Sequence, residues 1–226
     1  MKGHDFSRAA NATKNLGFSP CGNSRCTTGI RAETPWPRRE CIGIYLEQRS
    51  LAYPMTNIDV NTTTLFLACS RQQFIEQSWP RLRGCVESLT DEQVWWRPND
   101  ASNSIGNLLL HLNGNVRQWL VTSFDHLQSD RNRPAEFVAK DGSSASELLE
   151  KLGATLAEAA QVLGRLTEAD LLARYEIQGY SVTGLEAVYH VVDHFGMHYG
   201  QILYIAKSLT GKDLGFYSEL NKTGRA

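Results

Sequence analysis

Near the C-terminus three histidines stand at strict four-residue spacing: His190, His194 and His198, within Val188-Tyr-His-Val-Val-Asp-His-Phe-Gly-Met-His-Tyr-Gly-Gln201. In a helix, residues four apart lie almost above one another, so the three imidazoles would share one face. Neutral imidazole is the commonest protein ligand for zinc, nickel and similar ions, and two at this spacing can hold one ion. An isolated histidine, His111, lies about eighty residues earlier, among Leu108, Leu109, Leu110 and Leu112. One histidine from one helix and two from another is the minimum for a three-ligand site with an open position. Spacing alone leaves two readings open, metal ligation and histidines that merely hydrogen-bond in a core. The apolar neighbours Val191, Val192, Phe195, Ile202 and Ile205 imply burial of this helix. A row of buried imidazoles is costly unless each finds a partner, and an ion shared with His111 would satisfy both helices together.

Helical periodicity dominates from about Asp59 onward. Leu65, Phe66, Cys69, Phe74, Trp79, Leu82, Val86 and Leu89 recur at three- and four-residue spacings, with Pro80 predicting a kink or interruption. Ser104 predicts the N-cap of a second helix carrying Ile105, Leu108, Leu109, His111, Leu112, Val116, Trp119 and Leu120. Ser144 and Glu147 form a capping box for a third helix, from Leu148 through Leu166. Tyr175-Glu-Ile-Gln-Gly-Tyr180 reads as a connection with a short extended piece, and the fourth helix spans about Thr183 to Leu209, stopped by Gly211. Four amphipathic helices with few strand signals predict an all-α antiparallel four-helix bundle, an architecture that builds metal sites from facing helices.

The first 54 residues have a different texture, rich in Gly, Ser, Asn, Pro and Arg without a sustained apolar period. They are expected to be a poorly structured N-terminal extension, either a disordered tail or an upstream-start artefact, ahead of a domain over residues 55–226. The chain has 226 residues and a formal net charge of −1, with no long basic run, so nucleic-acid binding is not expected. No apolar stretch is long enough to span a bilayer and the start lacks a secretory core, which makes a cytoplasmic location the expectation. The five cysteines, Cys21, Cys26, Cys41, Cys69 and Cys85, lack paired zinc-ribbon spacing and read as structural or incidental.

Three stretches carry a resemblance to a known family: Leu89-Thr-Asp-Glu-Gln-Val-Trp-Trp-Arg-Pro98, Ser104-Ile-Gly-Asn-Leu-Leu-Leu-His-Leu-Asn-Gly-Asn115 and Asp193-His-Phe-Gly-Met-His-Tyr-Gly-Gln-Ile202. Over residues 61 to about 215 the chain resembles the DinB-like (damage-inducible, YfiT-like) metalloproteins. The resemblance implies a four-helix bundle in which His111 joins His194 and His198 around one divalent metal ion, Zn2+ or Ni2+. His190 then becomes a pocket residue. Asn107 and Asn115, on the helix of His111, and Gln201, three residues after His198, are candidate polar groups that orient a ligand or a metal-bound water. Relatives of this kind include transferases that use low-molecular-weight thiols.

An ion held by three neutral imidazoles keeps its positive charge and lowers the pKa of a water or thiol in its open position. The leading functional expectation is a metal-dependent transferase joining a small-molecule thiol to an electrophile. The alternatives are a metal-dependent hydrolase, a non-catalytic metal-binding bundle, and a metal-free helical interaction module. No general base stands out, because Asp193 is adjacent to His194 and points elsewhere. Bundles of this size often pair through an exposed helix face, so a homodimer is a further expectation.

Overall fold

A computed structural model describes residues 61–218, and the expectations for residues 1–54 lie outside them. Helix α1 comprises Thr62–Arg71, a π-helical stretch Gln72–Ser78, and Trp79–Glu87. Pro80 falls in the first turn of the last stretch, directly after the π-helical turn, so its missing N–H coincides with the change in hydrogen-bond pattern. The interruption expected there is this change of helical pitch, and the chain continues through it. The short α2 (Asp91–Trp95) follows, closed by a reciprocal capping box between Thr90 and Gln93.

Helix α3 comprises Ile105–Val116 and a second π-helical stretch, Arg117–Thr122. Its N-cap is Ser104, as the sequence predicts, and Asn107 completes the box. The six-residue α4 (Arg133–Val138) interrupts the long return to α5 (Ala145–Arg165), which Ser144 and Glu147 cap. After α6 (Glu168–Leu172), strands β1 (Arg174–Ile177) and β2 (Tyr180–Thr183) form an antiparallel hairpin. Gln178 and Gly179 both have positive φ, 55° and 82°, as a two-residue hairpin turn of this twist requires. Helix α7 (Gly184–Thr210) ends on Gly211 in the left-handed conformation.

The four long helices α1, α3, α5 and α7 make the bundle, two running each way. Trp119 and Asn115 lie beside His190 while His111 lies beside His194 and His198, so α3 and α7 are antiparallel. Asn113 meets Thr155 and Arg117 meets Glu158, so α3 and α5 run parallel. A parallel neighbour demands a connection as long as the helix itself, and residues 123–144 supply it. That return path is what brings α4 alongside the middle of α3.

Between the helices lies one continuous core. Leu82, Leu108, Leu109, Leu112, Leu152, Leu156, Phe74, Phe195 and Ile202 are essentially inaccessible to solvent. Each such side chain contributes about 2 kcal/mol through burial, so the pairing of α3 with α7 is secured by apolar packing on either side of the histidines. Phe74 of α1 packs against Phe195 of α7 with ring centroids 5.6 Å apart. Trp95 seats its ring over Gly106, where a Cβ would collide with it, and donates from Nε1 to Ser143 O. Cys85 is a buried free thiol and Cys69 an exposed one, while Cys21, Cys26 and Cys41 lie outside the described residues. No helix among the described residues is long and apolar enough to cross a membrane.

Candidate metal centre

His111 sits at the middle of α3, a buried polar residue between fully buried leucines. Opposite it, successive turns of α7 present His190, His194 and His198. The structure brings three of the four together: ring nitrogens of His111, His194 and His198 all lie within 4.8 Å of one another. Nε2 of His194 is 3.0 Å from Nε2 of His111 and 3.2 Å from Nε2 of His198. Two nitrogens on one zinc ion, each about 2.0–2.1 Å from it, stand about 3.3 Å apart. Two of the three spacings are therefore already those of shared ligands.

The hydrogen bonds behind the rings fix which nitrogen faces inward. His111 Nδ1 is 2.8 Å from Glu136 Oε2, and His198 Nδ1 is 2.7 Å from Gln201 Oε1. Arg131 Nη2 also lies 3.2 Å from His111 Nδ1, but it donates at 2.8 Å to Glu136 Oε2, and the closer carboxylate favours the proton on Nδ1; in both rings Nε2 then presents its lone pair. His194 can donate one proton at most toward these two lone pairs, so at least one confrontation remains. Its own Nδ1 is buried without a protein partner. A cation at the meeting point of the three Nε2 atoms would resolve the conflict, and three imidazoles are a donor set for a divalent transition-metal ion.

Protonation agrees with this donor set. Burial, reinforced by the neighbouring His198, His111 and His190 and by Arg131, pushes His194 down to about 3. Burial likewise lowers His198 and His190 below the ordinary imidazole value. The lowered values favour neutral rings at His194 and His198, the form that ligates.

Two residues of this site are invisible to motif reasoning, Glu136 and Arg131. Glu136 is 8% exposed, and Arg131 clamps it with Nε on Oε1 at 2.6 Å and Nη2 on Oε2 at 2.8 Å. Burial works to raise the Glu136 carboxyl, but hydrogen bonds from Arg131 and His111 outweigh it and hold the group below the usual value. Glu136 is thus an anion behind His111, neutralised on its far side by Arg131. Arg131 Nη1 in turn donates to Gln118 Oε1, which also accepts from Gln178 at the hairpin tip.

Two features of α3 make room for this arrangement. Asn107 Nδ2 donates to the carbonyls of Glu136 and Ala139, at 2.9 and 2.8 Å, and its Oδ1 caps α3, so it fastens α4 to α3 and is no ligand-orienting group. Gly114 is the second: a Cβ there would strike Glu136 Oε1 and Arg131 Nε. Alanine normally stabilises a helix interior by about 1 kcal/mol over glycine. Gly114→Ala should reverse that sign and cost about 1–3 kcal/mol. Gly200→Ala, with nothing within 4 Å of the added methyl, should show the ordinary gain. Urea melts of the two variants check the contrast.

The remaining candidates divide. His190 stands one turn from the cluster, stacked on Trp119 at 3.9 Å, with Asn115 Nδ2 donating to its Nε2 at 3.1 Å. Asn115 therefore orients His190 and makes no hydrogen bond to the three clustered rings, while Gln201 orients His198 directly. A cleft of about 470 Å3 opens beside His111, His190 and His194, with Val182 and Tyr180 of β2 on its far wall. The hairpin, read in the sequence only as a short extended piece, is one side of the site.

A four-helix bundle with this connectivity has the DinB-like fold. A DinB-like protein from Bacillus cereus superposes with a TM-score of 0.51 at 14% identity, over 64% of this chain and 93% of that one. A conserved protein from Enterococcus faecalis matches with a TM-score of 0.55 at 16% identity, over 68% of this chain and 99% of that one. At these identities the likeness is one of fold. By sequence the chain belongs to the family described as "Protein of unknown function (DUF1572)", which matches residues 61–219. No curated protein matches the chain.

Proposed function

We propose that His111, His194 and His198 hold one divalent transition-metal ion, Zn2+ or Ni2+, and that the protein is a metal-dependent transferase joining a small thiol to an electrophile. The observation that carries this reading is the convergence of three imidazole rings on one point, two of them with Nδ1 held by an acceptor. Bound there, such an ion lowers the pKa of a thiol or water in its open position.

The chain's own groups favour a thiol over water as the nucleophile. Hydrolysis calls for a base beside the reacting atoms. Glu136 is committed to Arg131 and His111, and Glu186 to capping α7 through Thr183 N and Oγ1. A thiol starts from a pKa of about 8.5 against about 15.7 for water, so beside such an ion it ionises more readily, its proton passing to bulk solvent without a protein base. Glu136 sets the charge behind His111, Gln201 aims His198, and Val182, Tyr180 and Trp119 supply apolar surface to the cleft.

Elemental analysis of untagged full-length protein should find about one equivalent of zinc or nickel per chain. His111→Ala should lose it while keeping the helical spectrum. The metal-loaded protein should accelerate addition of a small thiol to a chromogenic electrophile. Full activity after complete metal removal would sink the reading.

A further inference from the structure

A chain of side chains runs from the tip of the β-hairpin to the histidine cluster, and each link has a direction. Gln178, at the tip, donates from Nε2 to Gln118 Oε1 of α3 at 2.6 Å. The same oxygen accepts from Arg131 Nη1 at 3.2 Å. Arg131 grips both oxygens of Glu136, and Glu136 Oε2 lies 2.8 Å from His111 Nδ1. An exposed turn is thereby joined to a buried ring on another element.

Donor chemistry fixes the sense of the chain. A guanidinium can only donate, so the Gln118 atom facing Arg131 is its carbonyl oxygen. Gln178 must then offer an amide N–H to that oxygen. The reversed Gln118 amide would set N–H groups against two other donors. Arg131 Nη1 has no other protein acceptor among the described residues, and the Arg131 side chain is only 6% exposed. The orientation of one amide therefore decides whether a buried cation is satisfied.

The hairpin is built to hold that amide. Tyr175 and Ile177 of β1 are buried, and the Tyr175 ring lies 4.7 Å from that of Phe124, just beyond α3. Gln178 follows directly, with a φ of 55°, a left-handed backbone that asparagine or glycine adopts at lower cost. The residue that suits the turn less well is the one whose side chain reaches α3. On α3 itself, His111, Gly114 and Gln118 are spaced three and then four residues apart on one face, and Arg131 lies across Gly114 between the other two.

We propose that Gln118 and Gln178 are positioning residues for the metal centre: the hairpin tip fixes the Gln118 amide and, through Arg131 and Glu136, the ring of His111. This rests on the metal reading of the three histidines and adds a control over that site. The hairpin also supplies Tyr180 and Val182 to the cleft, so one element both borders the cleft and steadies His111. Coupling of this kind is reciprocal: whatever displaces the hairpin weakens metal binding, and the ion in turn holds the hairpin in place.

The test is zinc affinity, read by a chromophoric competitor on the full chain, in a cycle of Gln178→Asn and Gln118→Glu. Gln178→Asn keeps a residue suited to the left-handed turn but is one methylene too short to hold Gln118. It should weaken zinc binding about two- to fivefold, as loss of one hydrogen bond implies, without lowering the melting temperature of the metal-free protein. A role in turn stability alone would move the melting temperature and leave the affinity unchanged. Gln118→Glu presents an oxygen in either orientation, so it accepts from Arg131 without being held. In that background Gln178→Asn should leave zinc affinity unchanged. Equal affinities for the natural chain and Gln178→Asn overturn the inference and leave the metal reading standing. A fall that persists undiminished beside Gln118→Glu also overturns it, because the influence then bypasses Gln118. A natural chain that binds no zinc overturns both.

Discussion

Removing the metal should lower the melting temperature by about 8–16 °C, and His111→Ala should show no such response to chelator. An ion present at about a thousand times its dissociation constant stabilises the folded state by about 4 kcal/mol. For a domain of this size each kcal/mol moves the midpoint by about 2–4 °C. The expected effect is large because the proposed ligands come from two helices. His111 belongs to α3, and His194 and His198 to α7, so an ion held as proposed would tie together elements distant in sequence. Without it, Nε2 atoms 3.0 and 3.2 Å apart must share too few protons. Thermal melts with chelator, and again after zinc is restored, measure the shift. An unchanged midpoint in protein shown to be metal-free would mean that packing alone holds the cluster.

How far the sequence foretells this site depends on which physical signal each residue carries. The long helices announce themselves through apolar periodicity, and Ser104, Ser144 with Glu147, and Gly211 mark their ends by local hydrogen bonding or by a left-handed backbone. These are local effects, decided within a few residues. The histidines are legible for the same reason, since four-residue spacing on one helix is itself a geometric statement. The π-helical stretches are not legible, because one widened turn leaves the apolar pattern almost unchanged.

Glu136 and Arg131 are hidden for a stronger reason. Arg131-Asn-Arg-Pro134 reads as a break between helices, and a glutamate on a six-residue helix reads as solvated. Their burial is decided by tertiary structure alone: the parallel course of α3 and α5 forces the connection back along the bundle, and Gly114 admits the ion pair against α3. Only the absence of a side chain at Gly114, one turn after His111, could have hinted that something packs there. Asn107 shows the opposite error. Its type and position beside His111 invite a role in the pocket, yet its Nδ2 is spent on the carbonyls of Glu136 and Ala139 and its Oδ1 on Ser104 and Arg97.

Glu136→Ala should therefore be among the most damaging substitutions outside the apolar core, at about 3–5 kcal/mol. The side chains of Arg131 and Glu136 are only 6% and 10% exposed, so deleting the carboxylate leaves a guanidinium buried without its counter-charge. His111 Nδ1 loses its acceptor in the same step. Glu136→Gln keeps one acceptor and should cost less. The pair Arg131→Met with Glu136→Leu removes both charges, and should recover most of the stability, because apolar residues of similar volume often replace a buried ion pair without loss. Metal affinity should separate from stability across these variants. A carboxylate behind a ligating histidine raises its basicity and fixes its ring, and losing it typically weakens metal binding about 10- to 100-fold. The double variant should then fold well and bind zinc poorly, which denaturant melts and a chromophoric zinc competitor read independently. Zinc affinity recovered along with stability would show that Glu136 serves only to bury Arg131, leaving His111 to be aimed by α3 itself.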